Sequence, residues 1–243
     1  LALLCAAGLL MGSPATDARE PRAKKVTPRI EVQGHRGARA LRPENTLAAF
    51  RYALALGVDT LELDLQVTAD DVLVVAHDAH IPAKRCLSRG GKRLSGKTPA
   101  IRQLRAKALA GYDCGSLVSP RFPRQKLVPK ARIPRFEEVL TLVRRTHARG
   151  QKVGLNVETK IVPGRPKLTP TPERFAALVV KALRRHKLLR HTTLQSFDYR
   201  TLAAARRLAP KLRIVLLTSE STTDYPALAR RYRPYAISPH HAW

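Results

Sequence analysis

Apolar and polar residues alternate strictly from residue 58 to residue 67, which is the periodicity of a β-strand. Leucines fall on one face of this strand, and Glu62 and Asp64 fall on the other. Residues two apart on a strand point to the same side and lie roughly 7 Å apart. Glu62 and Asp64 are therefore neighbouring carboxylates that could share one cation, although such a pair taken alone is more often part of a solvated face.

The rest of the chain alternates short strands with amphipathic helices. A first strand is predicted at 30–33, and the apolar run 72–76 predicts a parallel strand covered on both faces. Asn45 is the expected N-cap of a helix at 46–56, and Gly57 is its expected end. Further strands are predicted at 153–160, 192–196, 213–218 and 235–238, and further helices at 136–148, 173–188, 199–208 and 224–232.

Alternating strands and helices predict a parallel sheet with helices on its outside. Because single α/β barrels commonly have about the length of this 243-residue chain, we expect one TIM-type (β/α)8 barrel domain over 30–243. The strand count reaches seven at 235–238. We therefore expect an incomplete barrel, truncated after strand 7, with two open edges.

Residues 80–132 interrupt the alternation and predict an insertion after strand 3. The segment is rich in glycine, proline and basic residues, with one weak helix near 101–109. A long irregular segment inside a barrel is usually functional, so we expect a lid beside the mouth, the end of the barrel where the carboxyl ends of the strands lie. Cys86 and Cys114 both fall in this insertion and are either a disulfide or two free thiols.

Polar residues recur where the predicted strands end. One of them taken alone carries little weight, since a single histidine such as His35 is more often a hydrogen-bonded core residue. Catalytic groups of barrel enzymes come from this position on several strands. An all-carboxylate set suits Ca²⁺ or Mg²⁺ better than zinc, which favours histidine and cysteine. An arginine and a lysine can bind phosphate oxygens, and two histidines can move protons near neutral pH. The candidates are Glu62, Asp64 and Glu158 as metal ligands, His35 and His77 as catalytic groups, and Arg36, Lys160 and Gln195 as substrate-binding groups.

Several of these residues lie in motifs that resemble those of the glycerophosphodiester phosphodiesterases. The resemblance covers residues 30–243. It implies a TIM-type barrel that hydrolyses glycerophosphodiesters to glycerol 3-phosphate and an alcohol. The motifs are Gly34-His35-Arg36-Gly37, Pro43-Glu44-Asn45-Thr46, Leu61-Glu62-Leu63-Asp64, His77-Asp78, Asn156-Val157-Glu158-Thr159-Lys160 and Gln195-Ser196-Phe197-Asp198.

The resemblance also implies individual roles. His35 corresponds to the general base of the family and His77 to its general acid, while Glu62, Asp64 and Glu158 correspond to its metal ligands. The family's final strand carries a Trp-Thr-Val-Asn motif, which has no counterpart in this sequence.

The net charge of +27 indicates an anionic partner, such as a small phosphodiester substrate, an anionic lipid or a nucleic acid. Residues 84–135 contain 15 Lys or Arg residues and one acid, Asp113. An aromatic content of 5% argues against nucleic-acid binding, because no stacking array is present. Two alternatives remain open: a phospholipase-D-like enzyme on lysolipids, and a non-catalytic polyanion-binding barrel.

The first 18 residues predict a secretory leader that lacks its basic start. An apolar run of 11 residues is too short to span a bilayer, and small residues typical of a cleavage site follow it. A buried N-terminal helix is the alternative. We expect residues 19–29 to be a flexible lead-in and the protein to be exported to the periplasm or outside the cell. No other segment approaches membrane-spanning length.

Overall fold

The computed structural model describes residues 30–220 and 222–240. The predicted leader at 1–18 and the lead-in at 19–29 lie outside the described residues, so both stay predictions. Among the described residues, no helix is long and apolar enough to cross a membrane.

One seven-stranded sheet organises the described chain. Its main path is β1-β2-β4-β5-β6-β7, and every pair along this path is parallel. The path ends at β1 and at β7, which are not paired with each other in the part of the chain that the structure describes. The strands are β1 Gln33–Gly34, β2 Thr60–Val67, β3 Leu73–Val75, β4 Gly154–Thr159, β5 Thr192–Ser196, β6 Arg213–Thr218 and β7 Ala236–Pro239.

The prediction that residues 72–76 form a parallel strand is wrong. Strand β3 runs antiparallel to β2, with Leu65 opposite Val75 and Val67 opposite Leu73. Only residues 68–72 connect the two strands, whereas a parallel connection needs a crossover of a dozen residues or more. The parallel part of the sheet therefore has six strands, and β3 forms a hairpin with the carboxyl-terminal residues of β2.

Helices separate the parallel strands, as the alternation predicted. They are α1 Leu47–Ala55, α2 Ala106–Leu109, α3 Phe136–Ala148, α4 Pro172–Arg185, α5 Tyr199–Leu208 and α6 Tyr225–Tyr232, with single 3-10 turns at Ile101–Gln103 and Leu189–His191.

The predicted N-cap of the first helix is one residue too early. Thr46 caps α1, because its hydroxyl oxygen accepts a hydrogen bond from the Ala49 N–H at 3.2 Å. Asn45 has a left-handed backbone with φ of 56°. Its side chain is used elsewhere, as described for the site below.

The two faces of β2 are both buried, but by different means. Leu61, Leu63 and Leu65 are fully buried in the core between the sheet and the helices. The opposite face carries Glu62 and Asp64, which are also buried. Because a buried charge is costly without partners, the second face must supply hydrogen bonds and opposite charges to these acids.

The insertion at 80–132 packs at the mouth of the sheet, on the predicted side. It reaches the loop between β1 and α1, where the Lys126 N–H donates to the Leu41 carbonyl at 3.0 Å. The Gln125 side chain donates to the carbonyls of Arg39 and Arg42 at 2.6 and 3.0 Å. A small apolar core inside the insertion is built from Ile81, Cys86, Ile101 and Leu109, together with Val74 and Ala76 of the hairpin.

Cys86 and Cys114 form a disulfide within the insertion. The bond joins positions 28 residues apart. Of the two alternatives left open by the sequence, the structure therefore contains the disulfide. It holds together a segment whose own apolar core is small.

Replacing both cysteines by serine should lower the free energy of unfolding by roughly 3 to 4 kcal/mol, because the bridge restricts the unfolded chain over a loop of this length. Denaturant unfolding of the oxidised protein and of the Cys86→Ser/Cys114→Ser variant measures the difference. A reductant should shift the wild type toward the variant and leave the variant unchanged. Equal stability of the two oxidised proteins would contradict the stabilising role.

Candidate active site

Three acids from two neighbouring strands meet at the mouth and are called the acid triad here: Glu62, Asp64 and Glu158. Parallel pairing of β2 with β4 places Asp64 opposite Glu158. One carboxylate oxygen from each acid lies within 4.8 Å of the others. All three residues are buried. Their predicted convergence is therefore confirmed.

Asp64 is the acid with the most partners. Its Oδ2 accepts a hydrogen bond from the Asn45 amide at 2.8 Å and lies 3.1 Å from Arg36 Nε. Its Oδ1 lies 3.1 Å from Lys160 Nζ. Burial alone would raise the pKa of Asp64, but the charges of Lys160 and Arg36 outweigh burial and lower this pKa below its usual value. Asp64 is therefore ionised at neutral pH.

Glu62 has hydrogen-bond donors but less opposite charge. Its Oε2 accepts the Arg36 backbone N–H at 2.7 Å, and its Oε1 accepts the Gln195 amide at 3.1 Å. Arg36 adopts a left-handed backbone, with φ of 52°, at the position where its N–H meets this carboxylate. Burial first, and then the charge of Asp64, raise the pKa of Glu62 to about 8.

Glu158 completes the triad and binds Lys160 Nζ at 2.5 Å. Burial raises the pKa of Glu158 despite this lysine. When all three acids are ionised, the triad has three negative charges against the positive charges of Lys160 and Arg36, and without further positive charge Glu62 keeps its proton at neutral pH. A divalent cation would supply the missing positive charge, and a set of carboxylate oxygens is the donor set that Ca²⁺ and Mg²⁺ prefer. The residues present therefore fit a hard divalent cation.

His35 lies beside the triad, with its Nε2 3.8 Å from Glu62 Oε2. Its imidazole is about half exposed, and its Nδ1 is 3.5 Å from Arg39 Nη1. Partial burial, followed by the charges of Arg36 and Arg39, lowers the pKa of His35 to about 4. The ring is therefore neutral at pH 7 and can accept a proton.

His77 reaches the mouth from the hairpin strand β3. Its Nδ1 lies 2.7 Å from Asp78 Oδ1, and its carbonyl accepts a hydrogen bond from the Gln66 amide at 3.2 Å. The hydrogen bond with His77, together with the Arg85 charge, lowers the pKa of Asp78 well below its usual range despite partial burial. An ionised Asp78 accepts a hydrogen bond from the Nδ1–H of His77. This leaves Nε2 of His77 for other partners.

Arg36 and Gln195, predicted to bind substrate, are both used within the site. The Arg36 guanidinium binds Glu44 at 2.8 Å as well as Asp64. Gln195 lies between Glu62 and Asn156, whose amide donates to it at 3.0 Å. Both residues thus position the acid triad, and their contact with substrate stays a prediction. Lys160 is also bound to the acids, so the same holds for it.

Sequence reasoning missed Glu44, an acid whose side chain is only 9% exposed, as a centre of the site. Three guanidinium groups surround it: Arg36 at 2.8 Å, Arg39 at 3.1 Å and Arg85 at 3.6 Å. It also missed Asn45, whose position before a helix made it look like a cap. Arg85 gave no signal, because it lies in the insertion, where the sequence has no periodicity.

Comparison with known proteins assigns the chain to a family. Residues 35–242 match the family model described as the glycerophosphoryl diester phosphodiesterase family. Because this match covers most of the chain, the chain belongs to that family. The resemblance read from the sequence motifs is confirmed.

The chain is 28% identical over 211 residues to the glycerophosphodiester phosphodiesterase of Caldanaerobacter subterraneus subsp. tengcongensis, covering 86% of this chain and 74% of that protein. It is 30% identical over 187 residues to a Bacillus subtilis protein provisionally named glycerophosphodiester phosphodiesterase YhdW, covering 77% of this chain but 65% of that relative. The chain thus spans less than two thirds of the second relative's length.

A crystal structure from Silicibacter pomeroyi, provisionally named a glycerophosphoryl diester phosphodiesterase, is similar with a TM-score of 0.79 and 30% identity. The match covers 86% of this chain and 74% of that one. This likeness and the family membership confirm the predicted TIM-type α/β fold class.

Ca²⁺ or Mg²⁺ should raise the melting temperature more at pH 8 than at pH 6. Below a pKa of about 8, Glu62 holds a proton that a cation must displace, so each pH unit below this value weakens binding by up to about tenfold. The pKa of Glu62 in the folded protein lies above its unfolded value of 4.5, so between these values the folded protein binds a proton that the unfolded chain does not. The metal-free protein therefore loses stability as the pH rises from 6 to 8, and a bound cation offsets this loss.

Differential scanning fluorimetry at one fixed cation concentration measures both shifts. In the Glu62→Gln variant, the pH dependence of the metal-induced shift should become clearly smaller, because the proton on Glu62 no longer has to be displaced and only the raised pKa of Glu158 contributes. An equal shift at both pH values in the wild type would show that Glu62 does not hold the cation.

Proposed function

We propose that this protein hydrolyses glycerophosphodiesters to glycerol 3-phosphate and an alcohol, with a divalent cation. The observation that carries the proposal is the joint presence, at one mouth, of the acid triad and two histidines with different electrostatic surroundings. Membership of the glycerophosphoryl diester phosphodiesterase family supports it. The intact acids and histidines argue against a non-catalytic polyanion-binding barrel.

The two histidines divide the proton work. His35 is neutral at pH 7 because its pKa is lowered to about 4, so it accepts the proton of the attacking hydroxyl. His77, in its doubly protonated form with the Nδ1–H held by Asp78, donates the proton on Nε2 to the leaving oxygen and becomes the neutral ring. Glu62, Asp64 and Glu158 would hold Ca²⁺ or Mg²⁺, which when bound supplies positive charge to the phosphate oxygens.

We also infer that the protein is exported. The disulfide between Cys86 and Cys114 supports export, because disulfides persist in oxidising compartments and are rare in the cytosol. The apolar run and small residues at 1–18 support it from the sequence.

Glu62→Gln should reduce the hydrolysis of glycerophosphocholine by at least about a hundredfold, because it removes a charge that both the cation and His35 face. His77→Ala should have a similar effect by removing the proton donor. Coupled detection of glycerol 3-phosphate measures the rate, with and without a chelator and after cation is added back.

Glu173→Gln is the matched control, since Glu173 is an exposed acid at the start of α4. It should retain full activity. Near-normal hydrolysis by either site variant, or by the wild type under chelator, would overturn the proposal. Release of lysophosphatidic acid from a lysolipid, with no hydrolysis of glycerophosphocholine, would favour the phospholipase-D-like alternative.

The basic insertion should speed the capture of an anionic substrate. Changing Arg121, Arg124 and Lys126 to glutamine removes three charges beside the mouth and should lower kcat/KM several-fold at low salt. The effect should shrink as NaCl rises from about 0.02 to 0.5 M, where the Debye length falls to a few ångströms. Stopped-assay kcat/KM across this salt series measures it.

A control removes equal charge at the opposite end of the barrel. The residues Lys152, Lys187 and Lys211 precede β4, β5 and β6, so they lie at the amino ends of the strands. Changing these three to glutamine should alter kcat/KM much less. Equal losses in the two triple variants would mean that net charge, and not the insertion's place at the mouth, attracts the substrate.

A further inference from the structure

Arg85 is a residue of the insertion that reaches a catalytic histidine through one intermediate carboxylate. Its Nη2 binds Asp78 Oδ2 at 2.5 Å, and Asp78 Oδ1 binds His77 Nδ1 at 2.7 Å. Its Nε lies 3.6 Å from Glu44 Oε1. The groups thus form a continuous row that runs from Glu44 through Arg85 and Asp78 to His77.

Asp78 needs this second partner to hold its orientation. The Asp78 side chain is 40% exposed and that of His77 is 34% exposed, so core packing fixes neither of them. With Arg85 on one oxygen and His77 on the other, both carboxylate oxygens of Asp78 are held by a partner. Without Arg85, water can take the free oxygen, and both the carboxylate and the ring gain freedom to turn.

The backbone of Arg85 is fixed independently of its charge. The next residue, Cys86, is fully buried and bonded to Cys114. The N–H groups of Arg85 and Cys86 both donate to the Pro82 carbonyl, at 3.0 and 2.9 Å, which closes a tight turn. The guanidinium therefore extends toward Asp78 from an anchored position.

We propose that Arg85 is a positioning residue for His77, acting through Asp78, and that the Cys86–Cys114 bridge fixes the turn from which it acts. The inference rests on the proposed function in that His77 is taken as the proton donor. It adds that the insertion contributes to the chemical step as well as to the capture of substrate.

The first test compares Arg85→Ala with Lys84→Ala. Lys84 is the adjacent residue, is exposed, and carries the same charge, so the control removes equal charge at almost the same place. Arg85→Ala should lower kcat about 10- to 100-fold with KM changed less than about threefold, as for other residues that orient a reacting group. Lys84→Ala should leave kcat unchanged. A loss confined to KM, or equal losses in both variants, would overturn the proposal.

The second test measures coupling. If Arg85 acts through Asp78, then Arg85→Ala should cost less than about twofold in kcat once Asp78→Asn is present, because the row is already broken. Independent, multiplying losses would overturn the proposed route. Arg85→Lys should fold even if Arg85→Ala does not. It keeps the charge without the planar fork, so we expect an intermediate kcat and the same coupling to Asp78.

The third test does not depend on hydrolysis. The Nδ1 proton of His77, identified as the downfield proton resonance that His77→Gln removes, should be sharp in the wild type. It should broaden or vanish in Arg85→Ala and persist in Lys84→Ala. An unchanged resonance in Arg85→Ala overturns the positioning role even if the enzyme is active. An inactive wild type in which this resonance still depends on Arg85 would instead reject the proposed function.

Discussion

The site depends on the burial of three carboxylates next to one another. Two cations, Lys160 and Arg36, do not balance three acids in a region from which most water is excluded. The free-energy cost of burying these charges is reduced by hydrogen bonds from the Asn45 side chain and from the Arg36 backbone N–H. Both residues have left-handed backbone conformations, so the loop after β1 holds two uncommon conformations where it contacts the acids on β2.

Sequence periodicity predicted the part of this arrangement that follows from strand geometry. Alternation along β2 put Glu62 and Asp64 on one face, and the carboxyl ends of parallel strands meet at one edge of a sheet, which brought Glu158 to them. The two candidate histidines came from motif resemblance and from their positions after strands. His77 was placed correctly for an incorrect reason, since the hairpin returns the chain so that the Ala76 N–H donates to the Asp64 carbonyl.

What the sequence did not predict is contact between side chains without periodic spacing. The direction of β3 was available in principle, because five residues cannot make a parallel crossover. The use of Asn45 was not, since its position suits a helix cap equally well. The three guanidinium groups around Glu44 come from two segments: Arg36 and Arg39 from the loop after β1, and Arg85 from the insertion. Only the folded chain brings these two segments together.

The way the insertion joins the sheet has a consequence for how members of this family diversify. The residues that directly follow the insertion return beside the strand that precedes it. The Val75 N–H donates to the Pro134 carbonyl at 2.9 Å, and Val74 forms an antiparallel β-bridge with Arg135. Segments whose two ends lie side by side can be exchanged or lengthened without strain on the scaffold. Here the exchanged segment would carry away both the basic surface and the partner of Asp78. A descendant with a new insertion would thus have both a new surface charge at the mouth and a differently held His77 side chain after a single event.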